Sequence, residues 1–190
     1  MEQRIEVERK RRLPDGGQQL ATLLAELGWQ PAEPVIEVDA YYSRPDIDYM
    51  VTVECLRVRR RGNFAEVTYK PPSTGATSAD GVVSKVETNV VLAGAGQAPL
   101  ADQLLKAVGM RLLVRVEKLR TAFRHPDFVD VTVVIDAVAG VGTFVETEVL
   151  STDSVAAAGT VERVEKELDI ADCPPVDLPY RDLAMRAGVA

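Results

Sequence analysis

Apolar and polar residues alternate with a period of two over much of this chain, the rhythm of β-strands whose two faces meet different surroundings. In "IEVERK" (5–10), Glu6, Glu8 and Lys10 share one face, and Ile5 and Val7 share the other. The same alternation sets Arg57 and Arg59 against Leu56 and Val58, and Lys85, Glu87 and Asn89 against Val86, Thr88 and Val90. It also sets Lys118 and Arg120 against Leu119, Thr121 and Phe123, and Glu146 and Glu148 against Val145, Thr147 and Val149. Over 129–136, Val131, Val133 and Ile135 oppose Asp130, Thr132, Val134 and Asp136. The pattern predicts strands over 3–12, 34–43, 54–61, 64–70, 82–92, 112–124, 128–138 and 142–149, with a hairpin at Gly62-Asn63. Helical spacing appears at Leu20, Leu23, Leu24 and Leu27 before Gly28, again over 99–109 and 154–168, and as a turn or two in the tail "PYRDLAMRAG". The small polar stretch 71–81 reads as a mobile loop. With no regular βαβ alternation, the class is α+β and the sheet largely antiparallel. The 190 residues suit one domain spanning 1–190.

A half-exposed antiparallel sheet explains any one of these strands. The like-charge neighbours on the polar faces (Arg57 with Arg59, Lys118 with Arg120, Glu146 with Glu148) fit it less well, because they repel and gain nothing from water. Closing the sheet into a barrel with polar faces inward and helices outside accounts for them. The interior is then a tunnel, basic in one part and acidic in another. Unpaired buried charges cost several kcal/mol each, so such a tunnel calls for ligand. Basic rows suit a polyphosphate, and acidic rows suit Mg²⁺ or Mn²⁺.

The net charge is −7, which disfavours nucleic acid unless the basic residues gather in one place. No apolar run approaches the roughly 18 residues of a membrane span. The amino terminus is charged from its second residue, so a signal peptide is not expected and a cytoplasmic location is. Cys55 and Cys173 are too few for a disulfide framework or a zinc site. His125 beside Pro126 reads as a turn residue, Trp29 as helix-to-barrel packing, and Arg9, Arg11 and Arg12 as solvated. Tyr41 and Tyr42 should face opposite ways, and Tyr180 and Arg181 lie in a tail with no assigned role.

The ordered set of motifs resembles the CYTH, or triphosphate tunnel metalloenzyme, superfamily. Glu6-Val7-Glu8-Arg9-Lys10 is similar to its E-x-E-x-K strand, and "DAYY" (39–42) to D-x-Y-F. "LRVRR", "TYKPP", "KVETN", "EKLR" and "IDAVAGVGTFVETE" follow in the family's order. The stretch "YYSRPDIDYMVTVECLRVRRRG" looks most like the class IV adenylyl cyclase branch. The resemblance implies an eight-stranded antiparallel β-barrel whose tunnel binds a small-molecule triphosphate: ATP, thiamine triphosphate or tripolyphosphate. It implies phosphate contacts from Lys10, Arg57, Arg59, Lys70, Lys85, Lys118 and Arg120. Metal ligands for Mg²⁺ or Mn²⁺ would be drawn from Glu6, Glu8, Glu87, Asp136, Glu146 and Glu148, with catalysis centred on Glu6, Glu8, Lys10 and Glu146. A homodimer is compatible with it. Asn89 departs from a usual Glu and Lys85 from a usual Arg, and Pro72 stands at an altered turn. Cyclisation of ATP, triphosphate hydrolysis and nucleotide binding without turnover all fit this machinery.

Overall fold

The computed structural model describes residues 5–74, 78, 79 and 82–189. In chain order its elements are β1 (Ile5–Leu13), α1 (Gln18–Glu26), β2 (Gln30–Pro31), β3 (Val35–Ser43), α2 (Tyr49–Thr52), β4 (Cys55–Arg61) and β5 (Phe64–Lys70). They continue with β6 (Ser78–Ala79), β7 (Val82–Lys85), β8 (Thr88–Val91), α3 (Ala98–Ala107), β9 (Arg111–Arg124), β10 (Val131–Val138), β11 (Gly142–Ser151), α4 (Ser154–Glu167) and α5 (Tyr180–Arg186). Most of the loop expected over 71–81 is irregular where it is described; residues 75–77, 80 and 81 lie outside the described set, as do residues 3 and 4 of the first expected strand.

All strand pairings are antiparallel, in the order β6-β7-β1-β11-β10-β9-β3-β4-β5-β8, with β2 on β9. The two ends of this order are one stretch of chain. The strand expected over 82–92 is split at Val86 and Glu87, so that β7 pairs with β1 while β8 pairs with β5. A single strand cannot follow both partners around a tightly curved wall, and the two-residue step lets it change neighbours. The curled sheet thereby returns on itself and encloses a lumen. Residues opposite each other in register share a face, so Glu8 with Glu148, Lys10 with Glu146, Glu37 with Lys118, Asp39 with Arg59 and Asp136 with Arg120 all project inward. Beyond β7, the wall beside β1 is continued by residues 174–176, where the Val176 N–H donates to the Lys10 carbonyl and the Arg12 N–H to the Pro174 carbonyl, each at 2.9 Å.

The apolar faces look outward, under helices. Val7, Val133, Val145 and Val149 pack against Leu20 and Leu24 of α1 and against Ala157, Val161 and Val164 of α4. Ala40, Tyr42, Val58 and Ala65 pack around Ala98 of α3. Each fully buried aliphatic side chain there contributes roughly 1.5–3 kcal/mol. Asp153 caps α4, its carboxylate accepting from the Val155 and Ala156 N–H groups at 2.9 and 3.1 Å. Tyr42 faces α3, its hydroxyl donating to Asp102 at 2.7 Å, while Tyr41 faces the lumen. No helix among the described residues is long and apolar enough to cross a membrane.

One feature departs from the expectations. Arg9 and Arg11 are not solvated: both are buried on the outer face of β1, where they share Glu165 of α4 at 3.0 and 2.9 Å. The helix that covers this face carries the counter-charge with it, which makes burial of two guanidinium groups tolerable. The inward positions Tyr41, Val114, Val116, Val138 and Phe144 are apolar and pack on Tyr180 and Ala184, so α5 stoppers one end of the barrel.

Glu165→Gln leaves two buried guanidinium groups short of a counter-charge. Chemical denaturation should show a loss of about 3–5 kcal/mol, whereas Glu162→Gln, at the exposed partner 3.9 Å from Arg9, should change stability by less than about 1 kcal/mol.

Candidate functional site

The lumen holds a cavity of about 470 Å³. Every residue expected to contact phosphate or metal, except Asp136, lines it. One wall is cationic and carries its own buried acids. Asp39 on β3 accepts a two-pronged fork from Arg59, Nε at 2.7 Å and Nη2 at 2.8 Å, with Arg57 at 3.9 Å. Asp136 on β10 accepts the same kind of fork from Arg120, at 2.8 and 2.5 Å, and a bond from Lys118 at 3.2 Å. Asp136 is fully buried behind these cations and supports them from the wall. Glu37, also fully buried, stands among Arg59 (3.2 Å), Lys118 (3.3 Å), Arg61 (3.6 Å) and Arg120 (3.8 Å). Burial alone would raise Asp39; the Arg59 charge and hydrogen bonds outweigh it and hold the carboxyl well below the usual range. Burial and the adjacent Arg120 push the Lys118 ammonium down.

Next to these cations in the same cavity, carboxylate oxygens of Glu8, Glu146 and Glu148 come within 4.8 Å of one another. Neighbouring β1 and β11 place them there by their paired register. Lys10 lies 3.3 Å from Glu146, and Arg120 reaches Glu146 at 2.5 Å and Glu148 at 3.5 Å. Burial raises Glu148 to about 8, with Glu6, Glu146 and Glu8 adding to the rise and Arg120 opposing it. Burial works the same way on Glu146, but Lys10 and Arg120 prevail and hold it well below the ordinary value. Three oxygen donors at this spacing, one still protonated near neutral pH, fit a hard divalent cation that would displace the proton on binding.

Glu6 and Glu87 are engaged elsewhere. Lys70 contacts both, lying 3.1 Å from Glu6. Burial raises Glu6 to about 7 against the pull of Lys70, whereas Lys70 overcomes burial at Glu87 and lowers it to about 2. Asn89 bridges the wall: its Oδ1 accepts from the Thr68 hydroxyl at 2.7 Å and its Nδ2 donates to Glu87 at 3.1 Å. A carboxylate there would lose the donor that holds Glu87. Lys85 turns to the wall, its Nζ donating to the Val53 carbonyl at 2.7 Å. Lys10 donates to the Leu178 carbonyl at 3.2 Å and sits 4.2 Å above the Tyr180 ring, with Lys118 5.0 Å above the same ring. Burial and the nearby Glu146 keep the Tyr180 phenol well above its usual range, hence neutral.

The sequence reading gave no site role to Glu37, Asp39, Glu66 or Tyr180. The first two stand on the alternating face of strand 34–43 with Tyr41, so the period-two rule places them inward; Glu66 follows from the same rule in 64–70. Tyr180 gave no signal, because only the path of residues 174–180 back along β1 brings it to the lumen.

The curled antiparallel barrel has counterparts among known proteins. The CYTH domain pattern matches residues 4–175. The chain belongs to the CYTH family. A Methanocaldococcus jannaschii protein, provisionally named an adenylate cyclase, is 29% identical over 145 residues, 76% of each chain. A Pyrococcus horikoshii structure is 26% identical with a TM-score of 0.79 and covers 95% of this chain and 98% of its own. A Hippeastrum structure shares the CYTH fold at 16% identity and a TM-score of 0.68, covering 98% of this chain and 97% of its own; that protein, provisionally named an adenylyl cyclase, is described with a dominant triphosphatase activity.

A carboxyl raised by folding stays protonated while its unfolded counterpart has ionised, so it weakens the fold as pH climbs between the two values. Glu148 therefore withdraws stability from pH 4.5 to about 8. In metal-free buffer, the melting temperature of Glu148→Gln should gain on that of the native protein across this window, and the gain should shrink when Mn²⁺ is added. Parallel curves for the two proteins would show that Glu148 ionises normally.

Proposed function

We propose that this chain is a divalent-metal-dependent enzyme acting on the triphosphate of a nucleotide or a related compound, with ATP cyclisation to cyclic AMP and pyrophosphate as the principal reading. The observation that carries it is the pairing of a cationic wall with the Glu8–Glu146–Glu148 cluster in one enclosed cavity. The provisional name of the M. jannaschii relative supports the cyclase reading. Phosphoryl chemistry asks the protein chiefly for positioning and charge neutralisation. Lys10, Arg57, Arg59, Lys70, Lys85, Lys118 and Arg120 spread over the phosphate oxygens. Arg59 illustrates the preparation: Asp39 takes its Nε and Nη2, so the planar group is fixed before ligand arrives and its remaining nitrogen is free to bind. Glu8, Glu146 and Glu148, with Glu6 nearby, would hold Mg²⁺ or Mn²⁺, which would supply Lewis-acid polarisation of the phosphoryl group under attack. Tyr180 and the apolar positions around it close one end and limit water there.

The alternative is hydrolysis, with water aligned on the terminal phosphorus where the cyclase aligns the ribose 3′-hydroxyl on the α-phosphorus. The activity described for the Hippeastrum structure favours keeping it. Incubation with ATP, thiamine triphosphate and tripolyphosphate, each with Mg²⁺ or Mn²⁺, separates the outcomes. Cyclic AMP from ATP supports the cyclase, and phosphate release from any of the three supports the hydrolase. Binding without product would make the chain a polyphosphate-binding module and overturn the enzymatic reading.

Glu146→Gln should lower metal-dependent turnover by about 10²–10³-fold with an unchanged circular dichroism spectrum. Arg59→Met removes a charge-assisted contact of about 1.5–3 kcal/mol and should weaken tripolyphosphate binding by roughly 10- to 100-fold in calorimetry.

A further inference from the structure

Val53 has the left-handed conformation, with φ 54° and ψ 32°. A β-branched residue is strained there, because its side chain crowds the following carbonyl. Among the described residues, the other non-glycine with positive φ is Asp169, whose type tolerates it. Strain of this kind persists only where the surroundings over-determine the backbone, and here they do. The Val53 carbonyl accepts from Lys85 Nζ at 2.7 Å. On either side, Arg181 of α5 donates Nη2 to the Tyr49 carbonyl at 2.8 Å and Nη1 to the Glu54 carbonyl at 2.6 Å. The Ser73 N–H donates to the Thr52 carbonyl at 3.0 Å. The Glu54 carboxylate is held by the Tyr69 hydroxyl at 2.6 Å and the Thr52 hydroxyl at 2.7 Å. Val53 itself lines the cavity beside Lys85.

Glycine at this position would form the same turn without strain. What the strained turn achieves is to aim one carbonyl at one ammonium group, from a platform pinned to the helix that stoppers the barrel. We infer that Val53 is a positioning residue, whose fixed left-handed turn holds Lys85 at the cavity wall and ties it, through Arg181, to α5. This rests on the reading of the cavity as a triphosphate site. A lysine on a long flexible stem must otherwise be ordered when the anion arrives, and a wall that orders it beforehand strengthens binding by that amount.

A double-mutant cycle tests this, with metal-free calorimetry of tripolyphosphate binding as the readout. Val53→Gly, which keeps the turn, should melt at or above the native temperature and bind tripolyphosphate with native affinity. Val53→Pro, whose ring forbids a positive φ and so the turn, should bind about fivefold or more weakly. Lys85→Met should also bind more weakly. The double variant should be no weaker than Lys85→Met alone, because Val53 acts only through Lys85. Should Val53→Pro fold poorly, side-chain NMR relaxation of Lys85 in the free native protein decides: an ordered side chain supports the inference and a mobile one overturns it. Native affinity in Val53→Pro, or losses that multiply in the double variant, would overturn the inference while the triphosphate reading stands. Absence of tripolyphosphate binding by the native protein would remove that reading and the inference together.

Discussion

A closed wall of strands with its charged faces turned inward leaves each ionic side chain few outlets: another side chain of the lumen, a backbone carbonyl of the wall, or a ligand. That constraint organises the structure. Asp39, Asp136 and Glu37 sit fully buried beneath Arg59, Arg120 and Lys118, so the cations are held in fixed directions and part of their charge is answered within the wall. The acids on β1 and β11 are treated differently. Burial raises Glu148 to about 8, with the neighbouring acids adding to the rise, while Lys10 and Arg120 overcome burial at Glu146 and hold it low. A cation-rich wall with internal support and an acid cluster short of positive charge are complementary halves of a site for a metal-bound anion.

Much of this was legible in the sequence because a strand's period of two is a strict geometric rule. Once Glu6 is known to face inward, Glu8 and Lys10 must follow, and the same logic carries Arg57 and Arg59 or Glu146 and Glu148. The rule reaches Glu37, Asp39 and Glu66 as well: Glu37 and Asp39 are an i, i+2 pair like Glu6 and Glu8, and were legible on the same ground. The rule does not say what lies on the other side of a strand. Arg9 and Arg11 looked solvated because nothing local reveals that α4, some 150 residues later, brings Glu165 to them.

The ends of elements were less legible than their existence. The stretch 82–92 alternates without interruption, yet it must serve two partners, and curvature breaks it at Val86 and Glu87. Curvature is a property of the whole sheet and leaves no mark on those two residues. The tail shows the same limit. Its short helix could be read from spacing, but its place inside the barrel mouth depends on the apolar ring of Val114, Val116, Val138 and Phe144, which only the closed fold assembles. Through Tyr180 and Arg181 the tail then reaches both the lysines of the site and the turn at Val53.

The central claim is that this lumen receives a triphosphate with its metal. A crystal structure with a non-hydrolysable ATP analogue and Mn²⁺, collected for the anomalous signal of manganese, tests it most directly. The expected result is a manganese peak among Glu8, Glu146 and Glu148, with the phosphate chain running from that peak to Arg59, Lys118 and Arg120. An analogue bound on the outer surface, or manganese found away from these three carboxylates while the lumen keeps its ion pairs intact, would contradict it.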